Sequence, residues 1–208
     1  MVKLKIGDKS AKLNLFLNKV TAPRRDEERE AEKMEEYNSE NIFRNGYFFN
    51  PTKGNLSFDD TIKEIFAYMA EEPQREYEIV VGCDSASLEQ PHFPATIVVR
   101  RLGAGGRFFL KKISYGGKKF YNFKQRILQE VLLSCELALV LRETLETRKL
   151  VLPDDLKWNF SYIHADVGER GATREMVREV TGLIRGNGFE PMIKPFSFAA
   201  SVIADKYT

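Results

Sequence analysis

The sequence predicts an α/β domain built on a mixed five-stranded sheet that is flanked by helices. Two observations indicate this class. Three apolar stretches joined by short connections come first, and helical segments then alternate with two further apolar stretches. Strands joined by tight turns pair antiparallel, whereas strands separated by a helix usually pair in parallel. The sheet should therefore contain both kinds of pairing.

Five short apolar stretches predict the strands, because each is bounded by turn residues and is too short for a typical helix. The second and third should form a hairpin around the glycine-rich turn 103–106. In chain order the stretches are YEIVVGCDSAS (77–87), FPATIVVRRLG (93–103), GRFFLKKISYGG (106–117), WNFSYIHADVG (158–168) and EPMIKPFSF (190–198).

Two helices are predicted before the fourth strand. Ser57 should cap the first, with Asp60 three residues further on, and Pro73 should end it. The second helix covers residues 122–147 and carries an apolar stripe wide enough to pack on a sheet. That stripe comprises Ile127, Leu128, Val131, Leu132, Cys135, Ala138, Leu139 and Leu145.

Two more helices are predicted after the fourth strand. Thr173 should cap the third helix, and the Gly-Asn-Gly sequence at 186–188 should end it. The segment AASVIADKYT (199–208) predicts a final helix. Chain termini are usually polar and frayed. An apolar terminal segment carrying Asp205 therefore indicates an element that docks against the domain.

Composition limits the class of protein. The chain has 208 residues and a net charge of +2, so overall charge gives no argument for nucleic-acid binding. No apolar run reaches transmembrane length, and we expect a cytoplasmic protein with two buried thiols, Cys83 and Cys135. We expect a domain over 48–208. An extension over 1–47 should hold a short hairpin and a charged helix that is either solvated or a protein-binding arm.

Three acidic residues fall where a site could form. Asp84 follows the first strand, Asp166 follows the fourth, and Asp205 lies in the final helix. Sites in open α/β sheets form at the carboxyl ends of strands, and clustered carboxylates need a compensating cation. Two divalent ions about 4 Å apart can stabilise both the attacking and the leaving oxygen of a phosphodiester. Singly, each aspartate could instead cap a turn.

The order of elements and the positions of the acids resemble the ribonuclease H fold. The local sequence resembles the bacterial ribonuclease H-like YkuK family over about residues 48–208. The segments that carry this resemblance are FFNPTKGNLSFDDTI, YEIVVGCDSAS, RILQEVLLSCELA, HADVGERGATREMVREVTGLIRGNGF and IKPFSFAASVIADKYT. The resemblance implies a metal-dependent nuclease that uses Mg²⁺ or Mn²⁺.

The resemblance also implies which residues form the site. Ribonuclease H-type sites hold acids on the first strand, the first long helix, the fourth strand and the last helix. These places correspond to Asp84, Glu130, Asp166 and Asp205, of which the three aspartates would hold metal. Glu136, on the same helix as Glu130, is the alternative for the helix acid.

Further residues are candidates for substrate contact. Ser85, Lys119, Arg126, Lys194 and Lys206 are expected near the site, since a small residue admits a metal and basic side chains bind phosphate. Basic residues alternate with aromatics over 111–126, which suits stacking on nucleic acid, although a solvated hairpin edge explains the same pattern.

Two other features have open interpretations. The glycine-flanked turn 168–171 precedes a helix start, where an anion could bind or where the chain could simply turn tightly. His164 could transfer protons, or it could be a hydrogen-bonded core histidine.

Two functions remain in view. The first is a two-metal-dependent nuclease acting on RNA, DNA or a hybrid, with RNA or RNA/DNA hybrid favoured. The second is a non-catalytic module of the same fold that binds RNA or a protein partner.

Overall fold

The protein is described by a computed structural model that covers residues 41–85, 91–116, 119–149, 152–153 and 155–199. The chain divides into two compact units, Met1–Ile42 and Phe43–Thr208, and the elements below belong to the second. The expected N-terminal hairpin and charged helix lie outside the described residues, as do Asp205, Lys206 and all but the first residue of the expected final helix.

Seven strands and three α-helices occur in the described part of the second unit. The strands are β1 (Phe48–Asn50), β2 (Gly54–Leu56), β3 (Glu76–Cys83), β4 (His92–Arg101), β5 (Gly106–Ser114), β6 (Lys157–His164) and β7 (Glu190–Met192). The helices are α1 (Phe58–Glu71), α2 (Phe123–Arg148) and α3 (Val177–Gly186), with a short 3-10 helix at Arg174–Met176 before α3.

The strands form one mixed sheet in the order β2-β1-β5-β4-β3-β6-β7. Strands β3, β4 and β5 pair antiparallel, and β6 joins β3 in parallel, followed by β7 in parallel. The predicted mixture of pairings is therefore confirmed. The 103–106 turn joins β4 to β5 with positive φ at Gly103 and Gly105, as the glycine-rich sequence predicts.

The predicted number of five strands is wrong, because a β1–β2 hairpin adds two strands at the β5 edge. Each of these strands has three residues, which is too short to show an alternating pattern. The hairpin is held locally by Asn50, whose side-chain oxygen accepts hydrogen bonds from the amides of Thr52 and Lys53 at 3.0 and 2.9 Å. Gly54 adopts a φ of +75°, which glycine tolerates best.

The first helix forms as its sequence predicts. The Ser57 hydroxyl accepts a hydrogen bond from the Asp60 amide at 3.1 Å, and it donates one to the Asp60 carboxylate at 2.7 Å. The helix ends at Glu71, before Pro73, and buries Ile62, Ile65, Phe66 and Met69.

The long helix α2 forms where it was expected, and Asn122 caps it. The predicted stripe is partly wrong, since Leu132 and Leu139 are 49% and 36% exposed. Leu133, Leu137 and Leu141 are buried instead. Leucines occur around most of this helix, so apolarity alone cannot identify the arc that packs on the sheet.

The third helix departs from its prediction at the start only. Thr173 makes no capping bond to the helix; its hydroxyl accepts a hydrogen bond from the Gly168 amide at 3.1 Å. The Gly-Asn-Gly end is confirmed, because α3 ends at Gly186 and Gly188 has a φ of +76°.

Arg101 ties α1 to the sheet at the edge opposite the carboxyl end of β3. Its side chain is 10% exposed, donates to the Tyr77 hydroxyl at 3.1 Å and pairs with Glu72 at 2.5 Å. The guanidinium carbon also lies 4.4 Å from the centre of the Tyr68 ring. One cation on β4 thus contacts groups on or next to α1 and on β3.

The remaining expectations concern thiols and membrane spans. Cys83 and Cys135 are free and buried, as predicted. Burial raises the pKa of Cys83 well above its ordinary value and that of Cys135 to about 11.

Within the described ranges, every helix is too short or too polar to span a bilayer.

Candidate functional site

Asp84 and Asp166 lie at the same edge of the sheet. Strands β3 and β6 are parallel neighbours whose register pairs Gly82 with His164. Strand β3 ends at Cys83 and β6 ends at His164, so each aspartate follows its strand at the carboxyl end. This edge is where ligands bind in open α/β sheets.

Glu130 reaches this edge from the second turn of α2. The Ser85 hydroxyl donates a hydrogen bond to Glu130 Oε1 at 2.5 Å, and the Ser85 amide donates to Asp84 Oδ1 at 2.8 Å. One serine therefore contacts both acids. The Glu130 side chain is buried, although it is ionisable, and such a group needs a compensating partner.

The pKa of Glu130 responds to the charges of both aspartates. Burial raises this pKa most, the charges of Asp84 and Asp166 add to the rise, and Ser85 and Arg126 oppose it, so that the net pKa is about 8. Glu130 therefore holds its proton at neutral pH in the protein alone. A cation at this edge would favour the ionised form.

Asp166 has two oxygens in different surroundings. Lys194 Nζ lies 2.9 Å from Oδ2. Oδ1 is buried and has no hydrogen-bond partner in the described structure. An unpaired buried carboxylate oxygen is costly, so this atom needs a partner that the described residues do not supply.

The structure distinguishes Glu130 from Glu136. Glu136 is half-buried, burial raises its pKa, and its charge raises the pKa of Tyr115. Glu130 accepts a hydrogen bond from Ser85, and the charges of both Asp84 and Asp166 raise its pKa. The geometry thus brings Glu130 into the acid group.

His164 is a core histidine. Its Nδ1 accepts hydrogen bonds from the backbone amides of Phe198 and Ala199 at 3.2 and 3.1 Å. The Phe198 ring packs edge-on against it, with centroids 4.6 Å apart. Burial and, to a lesser extent, the Arg100 charge together lower the pKa of His164 to about 4. The imidazole is neutral near pH 7 and secures the segment that follows β7.

The basic and aromatic segment 111–126 divides between core and surface. Lys111 is buried and donates to the Asn45 carbonyl, and Phe120 is buried with its ring 5.0 Å from that of Phe93. These two side chains cannot bind nucleic acid. Lys119 is exposed, and Arg126 is near enough to Glu130 to oppose the rise in its pKa.

A cleft lies beside Lys194, which pairs with Asp166. It has a volume of about 450 Å³ and is lined by Gly168, Glu169, Arg170, Lys194 and Pro195. The Gly168 amide is already bonded to Thr173, so the tight-turn interpretation fits this position. The basic side chains of Arg170 and Lys194 leave the cleft suited to a phosphate.

The donors at this edge suit a hard divalent cation, which prefers carboxylate oxygens. Asp84 and Asp166 Oδ1 would hold it, and an ionised Glu130 would support it. No group of three histidine, cysteine, aspartate or glutamate side chains arranged for a metal occurs in the described ranges. Asp205 lies outside those ranges.

Two contacts were not anticipated from the sequence. Lys194 was expected to bind substrate, but it pairs with Asp166, and Ser85 bridges Asp84 and Glu130. The Lys194 contact depends on how the three-residue strand β7 pairs with β6. No sequence pattern reports that register.

Comparison with known proteins agrees with the mixed α/β fold. The chain matches the family model described as Ribonuclease H-like over residues 60–208, and it belongs to the ribonuclease H-like family. It is similar to a Bacillus subtilis (strain 168) protein named Uncharacterized protein YkuK, at 26% identity over 169 residues. That match covers 77% of this chain and 96% of the Bacillus protein, which confirms the resemblance to the YkuK family. No solved structure matches the chain significantly.

Proposed function

We propose that this protein is a nuclease that hydrolyses phosphodiester bonds in nucleic acid with Mg²⁺ or Mn²⁺. The buried, unpartnered Oδ1 of Asp166 supports this most, since it lies with Asp84 and Glu130 at the carboxyl edge of the sheet. Family membership favours a nucleic-acid substrate, and RNA or an RNA/DNA hybrid is the substrate that we favour.

Each residue has a definable task in such a reaction. Asp84 and Asp166 hold the cation, and Ser85 orients Glu130 beside them. Lys119 and Arg126 attract the phosphate backbone. When bound, the metal lowers the pKa of the attacking water and stabilises charge on the phosphate. Asp205 completes the acid set in this proposal.

The test uses the full chain with labelled RNA, RNA/DNA hybrid and single-stranded DNA. Asp84→Asn should lower Mn²⁺-dependent cleavage by about 100-fold or more, because loss of metal stabilisation costs several kcal/mol. Glu136→Gln is the matched control and should retain activity. Circular dichroism should show both variants folded. An Asp84→Asn protein as active as the wild type would exclude this assignment.

The second candidate is a binding module without catalysis. The observation that favours it is internal pairing, since Lys194 occupies Asp166 Oδ2 and Glu130 retains its proton. If the protein is this module, the wild type and Asp84→Asn should bind RNA with equal affinity in EDTA. Neither protein should cleave nucleic acid with any metal ion.

A protein partner on the N-terminal extension is a separate possibility for the same module. Deleting residues 1–40 spares the buried Phe43. The nuclease proposal expects this deletion to keep metal binding and cleavage, whereas the module proposal expects it to lose the partner.

A further inference from the structure

We propose that the ammonium group of Lys194 takes the place of a second metal ion, so that the site works with one divalent cation and one lysine. This inference rests on the proposed nuclease function. The family resemblance implies two metal ions. The contacts of Asp166 in this chain indicate instead one metal ion and one ammonium group.

The two oxygens of the Asp166 carboxylate have different surroundings. Lys194 Nζ lies 2.9 Å from Oδ2, at an ion-pairing distance. The other oxygen, Oδ1, is buried and unpartnered within the described structure. A carboxylate that bridged two metals would use both oxygens. Here one oxygen already contacts a cation, and one is left for a metal.

A backbone hydrogen bond fixes the position of the Lys194 main chain. Its amide donates to the Val167 carbonyl at 2.8 Å, which continues the parallel pairing of β6 with β7. Lys194 thus lies directly across from the residue that follows Asp166. From this position the lysine side chain reaches Asp166 Oδ2 without any movement of the backbone.

Gly168 fixes the path of the lysine side chain. A Cβ at position 168 would lie 3.1 Å from Lys194 Cβ, which is tighter than nine in ten real Cβ contacts. The first carbon of the lysine side chain therefore packs against the Gly168 backbone. An alanine methyl group at 168 would make this part of the lysine shift by a few tenths of an ångström.

The role of Lys194 is electrostatic. As a compact point charge, it would stabilise the negative charge that develops on the phosphate oxygens. In hydrolysis the water oxygen bonds to phosphorus and the bond to the leaving sugar oxygen breaks. One water proton ends on the leaving oxygen and the other in solvent. Lys194 keeps its protons throughout.

The first measurement is Mn²⁺ titration of the full chain by calorimetry. The wild type should bind one Mn²⁺. Lys194→Met should bind Mn²⁺ about tenfold tighter or take up a second ion, because Oδ2 loses its cation. Lys149→Met, at a lysine that pairs with Glu146 and whose side chain is 56% exposed, is the matched control and should leave the titration unchanged. Lys194 is 54% exposed in its side chain, so the variant should fold.

Cleavage provides a second readout on the same proteins. Lys194→Met should lose about 100-fold at low Mn²⁺ and recover partly at high Mn²⁺, when a second ion fills the vacated position. Gly168→Ala keeps the charge and moves the stem, so it should shift Mn²⁺ binding in the same direction as Lys194→Met.

The outcomes separate the two levels of the proposal. Two Mn²⁺ per wild-type chain, or a Lys194→Met titration identical to wild type, would overturn the role of Lys194 and leave the nuclease intact. A protein that binds no Mn²⁺, with or without nucleic acid, and cleaves nothing would overturn the proposed function itself, and this inference with it.

Discussion

The Ser85 hydroxyl lies 2.5 Å from Glu130 Oε1, although 45 residues of sequence separate the two. This hydrogen bond joins the end of β3 to the start of α2. It also opposes the burial that raises the pKa of Glu130. A single small side chain thus links the stability of the sheet edge to the charge of the site.

Ser85→Ala should therefore lower the free energy of unfolding by about 1 kcal/mol, the usual net value of one hydrogen bond. It should also raise the pKa of Glu130 further. Urea unfolding measures the first effect, and the pH dependence of Mn²⁺ affinity measures the second. Ser161→Ala is a suitable control, because Ser161 donates to Asn159 at 2.5 Å on the surface. Equal effects from both variants would contradict the special position of Ser85.

The raised pKa of Glu130 predicts a loss of stability with rising pH. The native pKa is about 8 and the ordinary value is 4.5, so the unfolded state loses its proton first. The stabilising contribution is complete below pH 4.5 and disappears as the pH rises to 8. The change amounts to at most about 5 kcal/mol.

Glu130→Gln should remove this dependence on pH, whereas Glu175→Gln, at an exposed glutamate, should not. Denaturant unfolding between pH 4.5 and 8.5 measures it. Addition of Mn²⁺ should reverse the trend in the wild type, because the ionised carboxylate then gains a cation. A wild-type curve that matches Glu130→Gln throughout would rule the prediction out.

His164 predicts a change of the opposite sign in acid. Its native pKa is about 4 and its ordinary value is 6.5, so the unfolded state gains a proton first as the pH falls. The contribution is complete above pH 6.5 and is lost down to pH 4, by about 3 kcal/mol. Between pH 4.5 and 6.5 it partly cancels the effect of Glu130 in the wild type.

His164→Asn isolates this effect. The asparagine oxygen can accept the hydrogen bonds that Phe198 and Ala199 donate to Nδ1, but it does not titrate. The variant should lose less stability than the wild type between pH 6.5 and 4. If the two proteins lose the same amount, the buried neutral histidine is not the cause.

The contacts of Arg101, far from the acids, predict that this residue contributes strongly to the stability of the fold. Arg101→Met should lower the free energy of unfolding by about 2–3 kcal/mol, because Glu72 and the Tyr77 hydroxyl lose a shared partner. Arg75→Met is the matched control, since exposed Arg75 also pairs with Glu72 and should cost less than about 1 kcal/mol. Urea unfolding compares them, and similar losses would contradict the prediction.

Local signals in the sequence predicted much of the fold. The Ser57 cap and the Gly-Asn-Gly end involve residues adjacent in the chain, so their geometry follows from residue type. The exposure of Leu132 was missed because it depends on packing between distant segments, and the β1–β2 hairpin was missed because strands of three residues are too short to show an alternating pattern. Patterns in one segment do not report that packing.

The same division applies to the site. Strand ends placed Asp84 and Asp166 at one edge of the sheet, because parallel neighbours end together. The choice of Glu130 over Glu136 needed the rotation of α2, and the Lys194 contact needed the register of β7. Both are properties of tertiary packing.

The direct pairing of β3 with β6 also has a consequence during translation. Glu76 and Lys157 are neighbours in the sheet but lie 81 residues apart in the chain. The ribosome releases β3, β4, β5 and α2 before β6 exists. Asp84 therefore emerges long before Asp166, and a nascent chain that lacks β6 cannot bring both carboxylates to one cation. If the protein is the nuclease proposed above, its activity would be confined to chains in which β6 has joined the sheet.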